Sequence, residues 1–571
     1  MKKTAIKRVI SACAIGAALL SSFGTNAQIK QYYIGTASKS EVSVAVKALP
    51  DGSSVIAGFT TGGSTGTDML LLRVKNGVIL WQKTWGTAND DLIQDMIITQ
   101  NGDIVVVGTV GRTAPALGNT AASFRCTQAG SLGGQNYVRD TNPGDAGGDV
   151  FYGVCELGNG NIVAVGNRDN RGDYGDGLIS TFDPTVNVLF YNDVFMADKD
   201  NTTTDNFEGA VSDPNNPNNI FITGYKYDNG KGVHDGRISY YTPPVGPGIP
   251  GTMNWDNAYS FYYSTLGNDI FTKIKPVNNT QFLIDGWMSH DCCGGTNQDQ
   301  LICRIDATAA TADIKVFLNN KTYANSFSYF PLSYEETYIT ETPSDTASSP
   351  SYSGGVTILN GRVSHITNLT SGTVDFTRQF QLPGNHSVVD LVDASSKLYM
   401  TGAVSGDSDV FGGVDIYYVE SGLTVKPADK NPCQVINDSL GIYTTAAQAA
   451  NIIDSQYSFT QNQPVTVTFT DPGMDIKLIC GDETPDSTCS FTPTKLIVNT
   501  TGVDSNGNCI FTAIAYGHTT STIVGYEWTI GGQPTFVHHS NLGMDTIVFT
   551  LPPGASNTVS VVVDAVNFNY A

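Results

Sequence analysis

Three groups of side chains in this sequence have the types and spacing to do chemistry. His290, Asp291, Cys292 and Cys293 stand together, with Cys303 close behind. An imidazole, thiolates and a carboxylate in such a group are the donors zinc prefers. Adjacent cysteines diverge, however, and in an oxidising compartment a disulfide through Cys303 is the more ordinary use. Asp198, Asp200, Asn201 and Asp205 lie in a Thr-rich stretch, and Asp173 and Asp176 in a Gly-rich one. Closely spaced oxygen ligands suit Ca²⁺. The full calcium-loop pattern is absent and Asp and Asn also build turns, so the expectation is at most a structural Ca²⁺ at Asp198, Asp200 and Asp205. Gly62-Gly63-Ser64-Thr65-Gly66 matches the nucleophile-elbow pattern. That motif works only between a strand and a helix, and strand patterns stand on both sides of it here.

Other residues point to binding. Trp287, Tyr225 and Phe59 each follow a recurring glycine, and Phe261, Tyr262 and Tyr263 form a run. Aromatic faces stack on sugars or pack on a partner; packing between elements is the competing use. Trp287, Tyr225 and Tyr262 are the binding candidates. Asp68, Asp176, Asp235, Asp299 and Asp415 recur once per repeat, which suits a turn or strand-start role bonding backbone N–H groups. No residue is assigned to catalysis or to an organic cofactor: His-Glu-x-x-His and phosphate-loop patterns are absent. The net charge of −22 disfavours nucleic acid and anionic lipid as partners.

The elements that must position these residues are strands. Val55-Ile56-Ala57-Gly58 returns as Val105-Val106-Val107-Gly108, Val163-Ala164-Val165-Gly166, Phe221-Ile222-Thr223-Gly224, Phe282-Leu283-Ile284-Asp285-Gly286 and Tyr399-Met400-Thr401-Gly402. The last interval is double, so one copy has drifted. A period of this size in an all-β pattern signals a β-propeller. Each unit reads as an entry strand, a tight turn such as Pro50-Asp51-Gly52 or Asn101-Gly102, a strand ending at the glycine, a third strand, and an aromatic fourth such as Leu80-Trp81-Gln82-Lys83-Thr84-Trp85-Gly86. Entry strands near residues 42, 92, 151, 207, 271, 337 and 388 make seven blades. Residues 29–35 resemble a fourth strand and are expected to complete the seventh blade and close the ring. This pattern resembles the delta-60/SBBP-type repeats of secreted β-propeller proteins of Bacteroidetes, over about residues 28–425. The resemblance implies a secreted or surface-displayed propeller and carries no catalytic residues.

Residues 1–27 read as a signal peptide, with Lys2, Lys3, Lys7 and Arg8 before the apolar Val9–Leu20 run and Thr25-Asn26-Ala27 before the cleavage point. That run is too short to span a bilayer, and membrane insertion is not expected. Export leads to an expectation of disulfides among Cys126, Cys155, Cys292, Cys303, Cys433, Cys480, Cys489 and Cys509, with Cys126 and Cys155 a candidate staple between the second and third units. From residue 426 the glycine motif stops. Ala446–Ile453 suggests a short helix, and strand-like runs such as Val465–Phe469 and Ile476–Ile479 follow. The region 426–571 reads as a β-sandwich. Within it, Gly525-Tyr526-Glu527-Trp528-Thr529-Ile530 resembles the Tyr-x-Trp strand of PKD-type, Ig-like domains, although Gly531-Gly532 stands where that family has Gly-Asp-Gly. The chain is therefore expected to be a secreted or cell-surface adhesion scaffold that engages a glycan or protein. The alternatives are a self-associating subunit of a surface layer or filament, and a polysaccharide-acting enzyme with carboxylates in the propeller funnel.

Overall fold

The structure is a computed structural model. It describes residues 29–422, apart from segments at 62–65, 112–118, 139–147, 170–174, 197–203, 229–231, 262–267, 291–296, 307–310, 317–323, 334, 344–360, 381–383, 395–396 and 408–409, and then the strands between 435 and 566 with residues 472–474. The expected signal peptide and the Gly62–Gly66 motif up to Thr65 lie outside the described residues.

Seven antiparallel sheets form a β-propeller. Their inner strands are Ser40–Ala48, Leu92–Ile98, Asp149–Glu156, Asp205–Ser212, Asp269–Pro276, Ala324–Pro331 and Asp390–Ala394, which define blades 1 to 7. Hydrophobic clusters lie between neighbouring blades. Ala45, Ala57, Leu71 and Trp85 of blade 1 pack on Ile93, Met96, Val106 and Phe124 of blade 2. Trp85 meets the Phe124 ring edge-on, with centroids 5.5 Å apart. Fourth-strand aromatics thus cement blades, as large apolar rings do wherever they can be fully buried.

The recurring glycine has a steric cause. In the first five blades the inner strand carries a bulge, between Ser43 and Ala45, Ile93 and Asp95, Phe151 and Gly153, Phe207 and Gly209, and Phe271 and Lys273. The bulge presses a carbonyl against the second strand. A Cβ on Gly108 would stand 1.9 Å from the Leu92 carbonyl oxygen. The strand does not end at the glycine, as expected, but runs through it: Gly58 lies inside Ser54–Thr61. Blade 6 also differs from expectation, because Thr337–Pro343 is its second strand and not its entry. Thr340 pairs with Ser328, so Tyr338-Ile339-Thr340-Glu341 is the drifted copy of the motif.

Two compact units divide at Cys480/Gly481, not at the expected 425/426. The strands beyond 426 explain the difference. Val435–Asn437 pairs with the outer strand of blade 6, Ala447–Asn451 with blade 4, Ser455–Phe459 with blade 3 and Thr468–Thr470 with blade 1. Asp475–Cys480 pairs with Lys30–Gly35, which itself lies antiparallel beside Val414–Gly422 of blade 7. Of the helix expected at Ala446–Ile453, the described part, Ala447–Asn451, is a strand, because the blade 4 edge offers a ladder running from Phe261↔Ala447 to Asn257↔Asn451. Tertiary pairing overrides the helical propensity of an Ala-rich run. The second unit contains a four-stranded sheet, ordered Cys489–Phe491, Val559–Val566, Thr522–Ile530 and Phe536–His538. Its three-stranded sheet is Lys495–Val503, Cys509–Tyr516 and Met544–Leu551. No helix among the described residues is long and apolar enough to cross a membrane.

Candidate functional site

Blades repeat, so chemistry must come from positions where they differ. One such position is the residue that follows the inner-strand bulge. It is Ala45 opposite Ala57, Asp95 opposite Val107, Gly153 opposite Val165, Gly209 opposite Thr223 and Lys273 opposite Asp285. In blades 6 and 7 the equivalents are Ser328 opposite Thr340 and Asp390 opposite Thr401. The side chain at this position aims at the following blade. A Cβ on Gly153 would meet Gly209 Cα at 2.8 Å, and one on Gly209 would meet the Thr272 carbonyl oxygen at 2.4 Å. Asp95 Oδ2 accepts the Val154 N–H of blade 3 at 3.2 Å.

On the other side of the ring the same position builds a charged cluster around Asp390, which is 1% exposed. Asp390 Oδ2 accepts the Val46 N–H of blade 1 at 3.0 Å, and Oδ1 accepts the Ser328 hydroxyl of blade 6 at 2.6 Å. Lys47 Nζ stands 3.9 Å from Oδ2 and Lys273 Nζ 3.8 Å from Oδ1. Burial opposes ionisation of Asp390, but Lys273, Lys47 and Lys275 outweigh it and hold the carboxyl well below its usual range. Burial disfavours the Lys273 ammonium, yet Asp390, Asp95 and Asp285 more than offset that and raise it. Lys275 donates to the Tyr329 carbonyl at 2.5 Å and sits 4.8 Å over the Tyr329 ring. Its burial, reinforced by repulsion from Lys47 and Lys273, lowers it to about 7 against the pull of Asp390 and Asp285.

Two further carboxyls border this rim. Burial raises Asp285 to about 6, although Gln300 Nε2 donates to it at 3.0 Å. Glu208, the bulge residue of blade 4, is raised by burial to about 8 and accepts a 2.6 Å bond from Asn206. Lys47 and Lys273 keep 25% and 31% of their side-chain surface accessible. Blades flank them on both sides, so that surface faces the axis of the ring.

The candidates read from sequence are dispersed. Asp198 and Asp200 lie outside the described residues, while Asp205 is buried at the start of the blade 4 inner strand. Among the described residues no three His, Cys, Asp or Glu side chains converge as metal ligands. The expected Cys126–Cys155 staple is absent: both thiols are free and buried, as is Cys303. Cys126 belongs to the core between blades 1 and 2, Cys155 to that between blades 3 and 4, and Cys303 to that between blades 4 and 5. Burial pushes the Cys126 thiol up to about 12 and raises Cys155 and Cys303 well above the usual thiol range, which makes them poor metal ligands and nucleophiles. Cys292 and Cys433 lie outside the described residues; Cys480, Cys489 and Cys509 stand in strands. Trp287 and Tyr225 are half-buried, and Tyr262 is outside the described residues. Tyr225 packs edge-on against His234, centroids 5.0 Å apart, and accepts a 3.3 Å bond from Asn206. Of the recurring acids, Asp415 accepts the N–H groups of Phe411 and Gly412, whereas Asp176 stands 3.9 Å from Arg168. The junction acid Asp91 accepts the N–H groups of Thr87 and Gly111.

Sequence reading missed Lys47, Lys273 and Asp390. For Lys273 and Asp390 the signal was available as a column of the repeat that changes from small residues to charges, but it needs the bulge register to align the blades; Lys47 lies two residues beyond Ala45 and outside that column.

No family model matches the chain, and no curated protein matches it. Among solved structures, it is similar to a protein of unknown function from Dyadobacter fermentans, with 8% identity, 68% of this chain and 97% of that one covered, and a TM-score of 0.36. It is also similar to a Trypanosoma rangeli sialidase mutant displaying trans-sialidase activity (11% identity, 59% and 56% covered, TM-score 0.34). Drosophila Semaphorin 1b, extracellular domains 1-2, is a further likeness (9% identity, 69% and 86% covered, TM-score 0.33). Likenesses at these values carry no argument about activity.

Proposed function

We propose that the chain is a secreted or cell-surface binding scaffold of the Bacteroidetes repeat type. In this reading the N-terminal strand closes the propeller, the second unit is an Ig-like arm, and a glycan or protein partner is engaged without catalysis. The observation that carries it is the broken equivalence at the inner rim. Seven matching positions hold Ala45, Asp95, Gly153, Gly209, Lys273, Ser328 and Asp390. A ring needs only small or apolar residues there, so an accessible, asymmetric charge cluster suits recognition. Asp390, being tied to the Val46 N–H and to Lys47 and Lys273, is poorly placed to shuttle protons. The test is a glycan array together with a pull-down from surface extract, using the full chain. Retention of a partner by either is expected, and silence from both sinks the proposal.

A second reading, a polysaccharide-acting enzyme, is favoured by Glu208. A carboxyl held protonated to about pH 8 at the inner rim has the protonation state of a general acid. Hydrolysis of a polysaccharide by the wild type and not by Glu208→Gln would establish it; equal rates would remove it.

A further inference from the structure

We propose that Lys47 and Lys273 form a receptor for an oxyanion, the carboxylate or sulfate of an acidic ligand, at the inner rim beside Asp390. The proposal rests on the binding reading above and supplies its ligand chemistry. Each ammonium carries three N–H donors. A direct charge-assisted bond to a carboxylate measures about 2.7–2.9 Å. Lys47 and Lys273 stand 3.9 and 3.8 Å from Asp390, within ion-pair range but beyond that length. The Asp390 oxygens are meanwhile engaged by the Val46 N–H and the Ser328 hydroxyl. Asp390 thus stands at ion-pair distance from two ammonium groups, each of which has three N–H donors to share.

Access and charge agree with this. Asp390 is closed off at 1% exposure, whereas the two lysines open toward the axis. Ala45, Gly153 and Gly209 contribute no side chain beyond a methyl at the equivalent positions of blades 1, 3 and 4, so none of them adds a charge that competes with the two lysines. The remaining charges are tied down. Asp95 accepts the Val154 N–H, and Asp285 accepts Gln300.

Lys275 couples the site to pH. It faces the Tyr329 carbonyl, Asp390, Asp285, Lys47 and Lys273. A bound anion offsets the repulsion among the three lysines and favours the Lys275 ammonium, so binding takes up a proton and tightens as pH falls from 8 to 6.

The experiment is isothermal titration of the full chain with sodium sulfate and, separately, sodium D-glucuronate at constant ionic strength, with methyl glucoside as the uncharged control. The two anions separate a general oxyanion site from one that wants the sugar attached. The expected result is a single site for at least one anion, none for the glucoside, about tenfold weaker binding in Lys273→Met, and loss in the Lys47→Met/Lys273→Met double variant. Because these variants could fold poorly, acetylation of Lys47 and Lys273 is also followed by mass spectrometry on the wild type. Either anion should slow it while leaving unaffected Lys75, which is similarly accessible but paired with Asp51 away from the cluster. The proposal is overturned if the wild type binds neither anion, if a natively folded double variant binds as tightly, or if neither lysine is protected. A partner captured by array or pull-down with no anion binding refutes this inference alone; silence in all three refutes the scaffold reading with it.

Discussion

Asp390→Ala removes the centre of the inner-rim cluster, and its cost can be worked from the contacts. The Val46 N–H, buried among blades 7 and 1, loses its 3.0 Å acceptor, and an unsatisfied buried donor costs about 1–3 kcal/mol. Lys47 and Lys273 lose their counter-ion. Stranding a fully buried charge costs about 3–5 kcal/mol, but these ammonium groups retain 25% and 31% of their side-chain surface in water. Solvent screening reduces that share to about 1 kcal/mol. The sum is about 3 kcal/mol. Asp390→Asn keeps an acceptor of the same shape for Val46, so only the ionic share and some geometry are lost, about 1–2 kcal/mol. An unfolding entropy of about 2 cal/mol/K per residue, over a propeller unit this long, makes 1 kcal/mol worth roughly 1 °C in Tm. Calorimetry at pH 7 should therefore place the Ala variant about 3 °C below wild type and the Asn variant between them. The gap must narrow in acid. The folded Asp390 carboxyl lies below its usual range, so its contribution is complete above the unfolded value near 4 and fades as pH falls below it. An Asn variant as damaged as the Ala variant, or an Ala variant within about half a degree of wild type, would refute the cluster as described.

Three further outcomes follow from the same geometry. Gly108→Ala drives a Cβ to 1.9 Å from the Leu92 carbonyl oxygen, where both neighbours are backbone, and should cost on the order of 4 kcal/mol. Gly52→Ala, at φ 80 with nothing nearby, should cost only about 1–2 kcal/mol, and thermal melts of the two variants check the ordering. Glu208→Gln should stabilise the protein relative to wild type at pH 9 and change little at pH 4. The folded carboxyl is raised to about 8, so its neutral form supports the fold in acid and that support is lost as pH rises; stability measured across pH decides it. His386 is lowered by burial to about 4, so its contribution is present above about pH 6.5 and lost as pH falls toward 4; His386→Phe should flatten the acid limb of the wild-type stability profile.

The ring was legible because a propeller repeats its packing, and repeated packing leaves repeated residues. Gly58, Gly108, Gly166, Gly224, Gly286 and Gly402 all abut a backbone carbonyl within 2.1 Å of a would-be Cβ, a constraint severe enough to survive in every blade that shows the motif. The drifted copy at Tyr338–Glu341 and the early entry strand Ala324–Pro331 were hidden because that blade lacks the glycine. The rim cluster was hidden for a different reason. Lys47, Lys273 and Asp390 are far apart in sequence and share no motif. Lys273 and Asp390 occupy the post-bulge position, and Asp390 points from blade 7 at blade 1, where Lys47 stands two residues beyond the equivalent Ala45.

The segment after the ring shows why edge strands escape sequence reading altogether. Ala447–Asn451 has no alternation of apolar and polar residues, yet it pairs along the outer strand of blade 4. Pairing at an edge is satisfied by backbone groups, which every residue carries. The same segment supplies edge partners for blades 6, 4, 3, 1 and 7 in that order. Its progress around the ring runs opposite to the order in which the blades were laid down. Outer strands that would otherwise present free N–H and C=O groups to solvent or to another chain are thereby covered from within. At blade 7 the covering strand lies on Lys30–Gly35, so the N-terminal strand is held on one edge by Val414–Gly422 and on the other by Asp475–Cys480. A strand held on both edges cannot fray without breaking two ladders. The N-terminal strand is thus held within the blade 7 sheet by two ladders, one of them supplied by residues after 426.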